Sequence, residues 1–444
     1  MIPTPRRQLA ALLLLASILC HAQATPPALD AAPVAHINGA PVHALTLRAL
    51  LHQARDQPGH PSADAVLAEI VADRLQARWA RERFSAAQLY PAGTVGFAPG
   101  VGVDERLGGL LRSMHASELD AALRALPGAI EAIYPLAPAT LERLFGAPGA
   151  LRLGYDFTPD QAALAARTPL LRYRLGKTEP VILSVLDVFE RQNVQGRMEF
   201  FNRRMDFIAH QARLRVAGLF VLDWASRRFG AAAVADLRQA LDEQEAVRGA
   251  LRLYGLAEGA EAHSPLQAAL ARQVTQADVN AFYSAHKDQF RRTDKVRARH
   301  IRVASEALAK HIAAEVAAGQ DFALLARRHS LAPNGKRGGD LGWVRQTAVP
   351  GWLAALALQQ PAGQVSTPFR APVGPSAPAT WDIVLVAQRI DGFYPPGSET
   401  VRYMARKAIA HERARAEFTD ARIALVRAAK VDMPSRLPGA TGAP

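Results

Sequence analysis

The sequence predicts an α+β protein in which a mainly helical region surrounds one small domain of mixed helices and strands. Apolar residues recur at helical spacing in the long stretches before residue 292 and after residue 396. Between them, residues 296–303 (VRARHIRV) alternate between two faces, as a β-strand does. Two further strand-like segments follow at 364–370 and 381–388. We therefore expect helices packed on a short sheet in this part of the chain.

Residues 1–24 are expected to form a secretion signal. Two arginines precede an apolar run, and the segment AQA at its end has the small-x-small pattern of a signal-peptidase site. The mature protein would then begin near Thr25 and lie outside the cytoplasm, in the periplasm.

The only cysteine of the 444-residue chain, Cys20, lies within this signal. Its removal would leave no disulfide and no cysteine-based metal site or nucleophile. The alternative is a lipoprotein in which Cys20 carries the lipid, but Leu19 before it is larger than the residue such cleavage prefers.

The formal net charge is +13, yet the arginines are spread along helical patterns and are not gathered with interleaved aromatic residues. We therefore expect no nucleic-acid partner. A basic surface outside the cytoplasm is compatible with peripheral contact to anionic lipid. After residue 24 no apolar run approaches the ~20 residues that cross a bilayer, so we expect no integral membrane span in the mature chain.

Residues 25–292 are expected to form a helical region. Asn38-Gly39 predicts a tight turn, Thr46 is a candidate helix cap, and a second helix is predicted to begin at Ser62. Segment 87–270 has no assigned role. Its helices are rich in Phe, Met and Leu, which predicts either ordinary helix packing or a groove for apolar polypeptide segments.

The small domain is placed at 293–395. Thr275 and Asp278 form a variant of the capping box before it, and a last amphipathic helix follows within 396–434. Residues 435–444 are rich in Pro and Gly, which predicts a disordered tail.

Inside the small domain, Ser305 and Asp321 are expected to cap two successive helices. The segment GGDLGWV at 338–344 is expected to be a loop, whose glycines allow positive φ or close approach of the backbone. Asp340 can accept hydrogen bonds from nearby backbone N–H groups.

These residues resemble the parvulin-type peptidyl-prolyl cis-trans isomerases, in the setting of SurA-like and PrsA-like exported folding factors. RARHI, GQDFALLARRHS and GGDLGWV occur in the family's order and approximate spacing. The resemblance implies a parvulin domain at 293–395, with the N- and C-terminal helices packed together as a chaperone domain. It also implies action on X-Pro bonds of unfolded, proline-containing clients, with neither metal nor cofactor.

The resemblance also implies the site residues. Leu341 and Trp352 would form walls of a proline pocket, and Trp343 and Phe369 would contribute further to substrate binding. Trp352 takes the place of the family's usual phenylalanine.

His300 matches the histidine on the first strand of the family's polar centre. Two of its usual partners are replaced. Ala332 occurs where the family has Cys or Asp, and Asp382 occurs where it has a second histidine. An Asp382 carboxylate facing His300 could fix its tautomer, whereas Ala332 offers no polar group. His300 and Asp382 are therefore the candidate catalytic residues, and we expect isomerase activity to be weak or lost.

Two alternatives remain open at this stage. The chain could be a non-catalytic holdase chaperone with a degenerate parvulin domain. It could also be an accessory protein of an envelope or exopolysaccharide export machine, an interpretation that depends on segment 87–270. No HxxxH or HExxH spacing is present, so no metal site is expected.

Overall fold

The computed structural model describes residues 33–55, 59–90, 97–126, 128–150, 152–176, 178–257, 264–347, 351–372, 374 and 377–432. The predicted signal at 1–24 and the tail at 435–444 lie outside the described residues. The chain forms two compact units, of which the first is Met1–Leu266 with Ala414–Pro444 and the second is Gln267–Arg413. The predicted α+β class is confirmed, with many helices and three small sheets.

The first unit is mainly helical. Its helices are α1 Ala44–Gln53, α2 Ala63–Arg83, α3 Ala86–Leu89, α4 Pro99–Met114, α5 Ala116–Arg124, α6 Pro138–Phe145, α7 Pro159–Arg167, α8 Val185–Phe189, α9 Val194–Phe201, α10 Met205–Phe229 and α11 Ala231–Leu253. The long helix α11 lies at the centre and packs on α1, α2, α4 and α10. As predicted, Ser62 caps α2 by accepting a hydrogen bond from the N–H of Ala65.

Two three-stranded antiparallel sheets complete this unit. One has the order β10-β1-β2, with β1 Pro33–Ile37, β2 Ala40–His43 and β10 Val431–Asp432. The other has the order β3-β4-β5, with β3 Ile130–Ile133, β4 Pro169–Tyr173 and β5 Val181–Ser184.

The turn between β1 and β2 is the predicted one. Asn38 and Gly39 both have positive φ, at 50° and 84°, as a two-residue hairpin requires.

The second unit contains a four-stranded antiparallel sheet of order β7-β6-β9-β8. Its strands are β6 Arg291–Val303, β7 Asp340–Arg345, β8 Phe369–Arg370 and β9 Trp381–Phe393. Helices α14 Glu306–Ala317 and α15 Phe322–His329 share one hydrophobic cluster with one face of the sheet. Helix α16 Trp352–Gln359 packs on the other face. Ser305 and Asp321 cap α14 and α15, as predicted.

Helices from both sides of the sheet region also belong to the second unit. They are α12 Pro265–Gln273, α13 Gln276–Ala285 and the first part of α17 Glu399–Ala428. Val279 and Phe282 of α13 form a cluster with Val401 and Ala405 of α17, and Thr275 and Asp278 form the predicted capping box. The unit is therefore wider than the predicted range 293–395, because these flanking helices pack on each other.

None of the helices in the described ranges is both long and apolar enough to span a membrane.

A buried ionic cluster joins four elements of the first unit, β2, α1, α2 and α11. Arg74 of α2 donates to Asp236 at 2.7 Å and to Glu243 at 3.2 Å, and all three residues are less than 9% exposed. Asp236 also accepts hydrogen bonds from the backbone N–H of His43 and from the hydroxyl of Thr46. The prediction that Thr46 caps α1 is therefore wrong, because Thr46 lies inside the helix and its hydroxyl binds Asp236. Each charge in the cluster is paired, which is what burial of charge requires.

Replacing Asp236 with alanine should lower the free energy of unfolding by about 3–5 kcal/mol, because it leaves Arg74 buried with an incomplete set of partners. Urea unfolding followed by circular dichroism measures this. The control is Asp242→Ala on the same helix. Asp242 pairs with Arg81 and both side chains are about 40% exposed, so the cost should stay below about 1 kcal/mol. Equal losses in the two variants would contradict the assigned role of the cluster.

Candidate functional site

The GGDLGWV segment is not the predicted loop along its whole length. Asp340–Arg345 forms the edge strand β7, which pairs antiparallel with β6. Its three glycines all have positive φ, as predicted, with values of 67–73°. The side chain of Asp340 accepts a hydrogen bond from the N–H of Gly342 at 2.9 Å, next to an irregularity in the pairing. The glycines bend the chain so that it can enter the sheet, a role that periodicity alone did not show.

Gly339 lets the backbone approach the middle of β6. A Cβ atom at this position would lie 2.4 Å from the carbonyl oxygen of His300. The carbonyl of Gly339 accepts hydrogen bonds from the N–H of His300 at 2.9 Å and from the side-chain amide of the buried Asn334 at 2.8 Å. The position of His300 is thus fixed through its own backbone.

A buried polar centre lies where β6 pairs with β9. Arg302 is directly opposite Asp382, and His300 is opposite Val384, so His300 and Asp382 are diagonal neighbours on one face. Asp382 is fully buried. Its carboxylate accepts hydrogen bonds from Arg302 Nε at 2.8 Å and from Arg302 Nη2 at 2.9 Å. Nε2 of His300 lies 3.1 Å from Asp382 Oδ1.

Arg302 dominates the electrostatics of this centre. Burial alone would raise the pKa of Asp382, but the hydrogen bonds from Arg302 and the contact with His300 hold that pKa below its ordinary value. The hydrogen bonds to Asp382 raise the pKa of Arg302. Asp382 is therefore ionised at neutral pH and serves as an acceptor. The ring of His300 is at contact distance from the carboxylate but off the direction of a good hydrogen bond.

The alternation of residues 296–303 puts Arg302 on the same face as His300, but the sequence indicated no role for Arg302. The signal that could have found it is its spacing, two residues after His300 on a strand whose partner begins with Trp381-Asp382. Such a placement puts the guanidinium beside the carboxylate.

Ala332 is 8% exposed and supplies no side-chain polar group. Its segment is held to β6 by the Ser330 hydroxyl and by one backbone hydrogen bond. The hydroxyl of Ser330 accepts hydrogen bonds from the N–H groups of Ala332 and Arg302, both at 3.2 Å, and the N–H of Leu331 donates to the carbonyl of Arg302 at 2.7 Å. The fold of this segment therefore does not depend on the missing polar side chain.

An apolar cavity of about 300 Å³ opens in the same domain. Leu341 and Val344 of β7 and Trp352 and Leu353 of α16 line it. The ring of Phe369 meets that of Trp352 edge to face, with ring centroids 5.7 Å apart.

Trp352 connects the cavity to the polar centre, because the guanidinium carbon of Arg302 lies 6.0 Å from the Trp352 ring centroid. The structure therefore brings together five of the six predicted site residues. They are His300, Asp382, Leu341, Trp352 and Phe369.

Trp343 is placed differently. Its side chain is 40% exposed, and Lys295 Nζ lies 4.8 Å from its ring centroid. It is not among the residues that line the cavity. A contact of Trp343 with substrate stays a prediction. Within the described residues, no group of three or more His, Cys, Asp or Glu side chains is arranged to hold a metal ion.

A four-stranded sheet with helices on both faces and an apolar cavity is the arrangement that the parvulin resemblance implies. Residues 290–386 match the family model described as Rotamase, the PPIC-type PPIASE domain. By this match the chain contains a PPIC-type rotamase domain at 290–386, which confirms the resemblance found in the sequence.

Three curated relatives share this domain. Chaperone SurA of Thiobacillus denitrificans is 36% identical over 103 residues, which are 23% of this chain and 22% of SurA. Foldase protein PrsA of Geobacillus kaustophilus is 32% identical over 103 residues, 23% of this chain and 34% of PrsA. Periplasmic chaperone PpiD of Haemophilus ducreyi is 32% identical over 99 residues, 22% of this chain and 16% of PpiD. The chain thus spans about a third or less of the length of these relatives.

Gly339→Ala should destabilise the parvulin domain by several kcal/mol, because the new methyl group would overlap the His300 carbonyl at a φ of +73°. Gly342→Ala is the matched control. Its φ of +67° is equally strained, but its Cβ would have nothing within 4 Å, so the loss should be about 1–2 kcal/mol. Urea unfolding of both variants, monitored by tryptophan fluorescence, gives the comparison. Equal destabilisation of the two variants would mean that position 339 requires glycine because of its positive φ, and not because of the close approach to β6.

Proposed function

We propose that this protein is an exported peptidyl-prolyl cis-trans isomerase and folding chaperone that acts on X-Pro bonds of unfolded client polypeptides. The observation that carries the proposal is the apolar cavity lined by Leu341 and Trp352, with the polar centre of Arg302, Asp382 and His300 beside it. Two of the relatives are named a chaperone and a foldase, which supports the folding part of the proposal.

The chemistry needs a shaped cavity and well-placed dipoles. Rotation about an X-Pro amide has a barrier of about 18–20 kcal/mol and takes on the order of 10–100 s uncatalysed. In the transition state the amide is twisted and has lost its conjugation. A site accelerates the rotation if it binds this twisted form better than either planar form. No bond is broken, so the proposed reaction requires neither metal nor cofactor.

The residues divide this work between them. Leu341, Trp352 and Phe369 would hold the proline ring, because their apolar surfaces form or adjoin the cavity. Asp382, kept ionised by Arg302, would orient His300 at the edge of the substrate site. Arg302 is about one-third exposed and also carries the positive charge nearest to the aromatic wall.

The periplasm is the proposed location. The predicted signal at 1–24 supports it, and one relative is a periplasmic chaperone by name. The proposed partners are unfolded or proline-containing clients. Peripheral contact with anionic lipid, an expectation from the net charge of +13, stays a prediction.

A holdase without isomerase activity is the second candidate. A specific observation favours it: Arg302 binds both oxygens of Asp382, so this carboxylate is committed to a buried ion pair. Ala332 adds no polar group. In this alternative the cavity binds prolyl segments and releases them unchanged. An accessory role in envelope or exopolysaccharide export stays a prediction from the sequence.

Trp352→Ala should lower kcat/KM for a prolyl peptide by about tenfold or more, because the proline ring loses its largest apolar wall. A protease-coupled isomerase assay measures the change. Tyr403→Ala is the control, since Tyr403 is an aromatic residue of the same unit that is 68% exposed and does not line the cavity. Trp343→Ala, assayed beside them, decides whether Trp343 also contacts substrate. Full activity in Trp352→Ala would exclude the cavity as the proline site.

The wild-type protein should accelerate a proline-limited refolding reaction weakly, and His300→Ala should abolish this acceleration. The physical reason is that alanine removes the imidazole that lies 3.1 Å from the Asp382 carboxylate, while the ion pair between Arg302 and Asp382 remains.

The same samples distinguish the holdase. If that candidate is right, wild type gives no acceleration yet suppresses aggregation of an unfolded secreted client. The variant Ala332→Asp/Asp382→His, which restores the family pattern, should then gain activity. Circular dichroism establishes that each variant is folded.

A further inference from the structure

A second cleft lies in the first unit, away from the parvulin domain in the chain. Its volume is about 760 Å³, and its lining is both apolar and charged. The start of α4, the strand β5 and the middle of α10 contribute to it. All of these elements belong to the segment for which the sequence indicated no role.

Arg215 of α10 is the positive charge of this cleft that forms no ion pair with a described residue. Its Nε atom is buried and makes no hydrogen bond, and the guanidinium is in no ion pair with any residue that the structure describes. Burial and the positive charge of Arg191 lower the pKa of Arg215, although the negative charges of Asp104 and Asp187 act in the opposite direction. The Arg215 side chain as a whole is partly exposed, so a ligand can reach it and complete its hydrogen bonds.

The other charged groups are already engaged or face solvent. Arg191 pairs with Asp104 at 2.9 Å, and Arg197 pairs with Asp156. Asp187 is exposed and accepts hydrogen bonds from the N–H and hydroxyl of Ser184. Glu190 also lines the cleft and is exposed. Among the three arginines of the lining, Arg215 is therefore the one that is available for an incoming anion.

The start of α4 adds to this positive potential. Ala98 gives the helix no side-chain cap, and its first turn contains no acidic residue. The backbone N–H groups at such a helix end favour negative charge nearby.

The wall formed by β5 is apolar and lies at the edge of its sheet. Val181 is 45% exposed and Ile182 is 54% exposed, and β5 pairs with β4 on one side only among the described strands. An exposed edge strand can accept a further strand through its unpaired backbone groups.

We propose that this cleft binds an extended polypeptide segment whose carboxylate pairs with Arg215 while its backbone adds to the edge of β5. The carboxylate forms an ion pair with the Arg215 guanidinium, and apolar side chains of the segment cover Val181 and Ile182. The occupant is a polypeptide because a strand edge and a charge lie in the same cleft. The carboxylate belongs either to a chain terminus or to an acidic side chain.

The test is equilibrium binding to the full chain, measured by fluorescence anisotropy. The probe is a fluorescein-labelled peptide that alternates valine and threonine and ends in leucine with a free carboxylate. Arg215→Gln should weaken binding by about ten- to a hundredfold, as expected for one charge-assisted pair. The control is Arg213→Gln on the same helix, since Arg213 is also partly exposed and does not line the cleft.

Two further peptides distinguish the sources of the carboxylate. An amidated version that binds weakly shows that the chain terminus is recognised. An amidated version with glutamate in place of one threonine shows side-chain recognition if it binds as tightly as the free acid. Ile182→Asp, at an exposed position that tolerates a polar residue, should weaken every peptide that binds.

The proposal is overturned if no peptide binds, or if Arg215→Gln and Arg213→Gln behave alike with all of them. The outcome is separate from isomerase activity, because Arg215→Gln should leave catalysis on a short prolyl peptide unchanged. A protein inactive in the isomerase assay can still bind at this cleft.

Discussion

The antiparallel pairing of β6 with β9 is the constraint on which the parvulin domain depends. Both strands are thirteen residues long, and their register sets Arg302 opposite Asp382. A shift of one residue would turn Asp382 to the other face, where α14 and α15 pack, and would bury an unpaired carboxylate. The ion pair and the register therefore specify each other. His300 takes its place opposite Val384 from the same pairing.

The sequence predicted those features that depend on local rules. The caps at Ser62, Thr275, Ser305 and Asp321 and the strand at 296–303 are present because each depends on a few neighbouring residues. Longer-range features were missed. The residue that pairs with Asp382 depends on the register of β6 and β9, and irregularities in β6 shift that register. The edge strand β7 depends on backbone bends, which glycine allows but does not by itself predict. Thr46 was predicted to cap a helix, but its hydroxyl binds Asp236. That partner lies 190 residues away in the chain, so no local pattern could indicate it.

Each of the two units contains an arginine that neutralises buried acid, but the two arginines differ in access to solvent. The side chain of Arg74 is 9% exposed, whereas that of Arg302 is 32% exposed although Asp382 beneath it is fully buried. The first arrangement is closed and suits a structural role. In the second, one side of the guanidinium remains open next to an aromatic ring. The same solution to burying charge thus leaves Arg302 partly open to solvent and Arg74 closed off from it.

The pairing of β1 with β10 has a consequence for synthesis of the chain. The N–H of Lys430 donates to the Asn38 side chain across a separation of 392 residues, and this contact closes the first sheet. At about 5–20 residues per second, a ribosome delivers β10 on the order of tens of seconds after β1. The second unit is continuous in the chain and can fold during this interval. The open edge of β1 must meanwhile be kept from pairing with other nascent or unfolded strands.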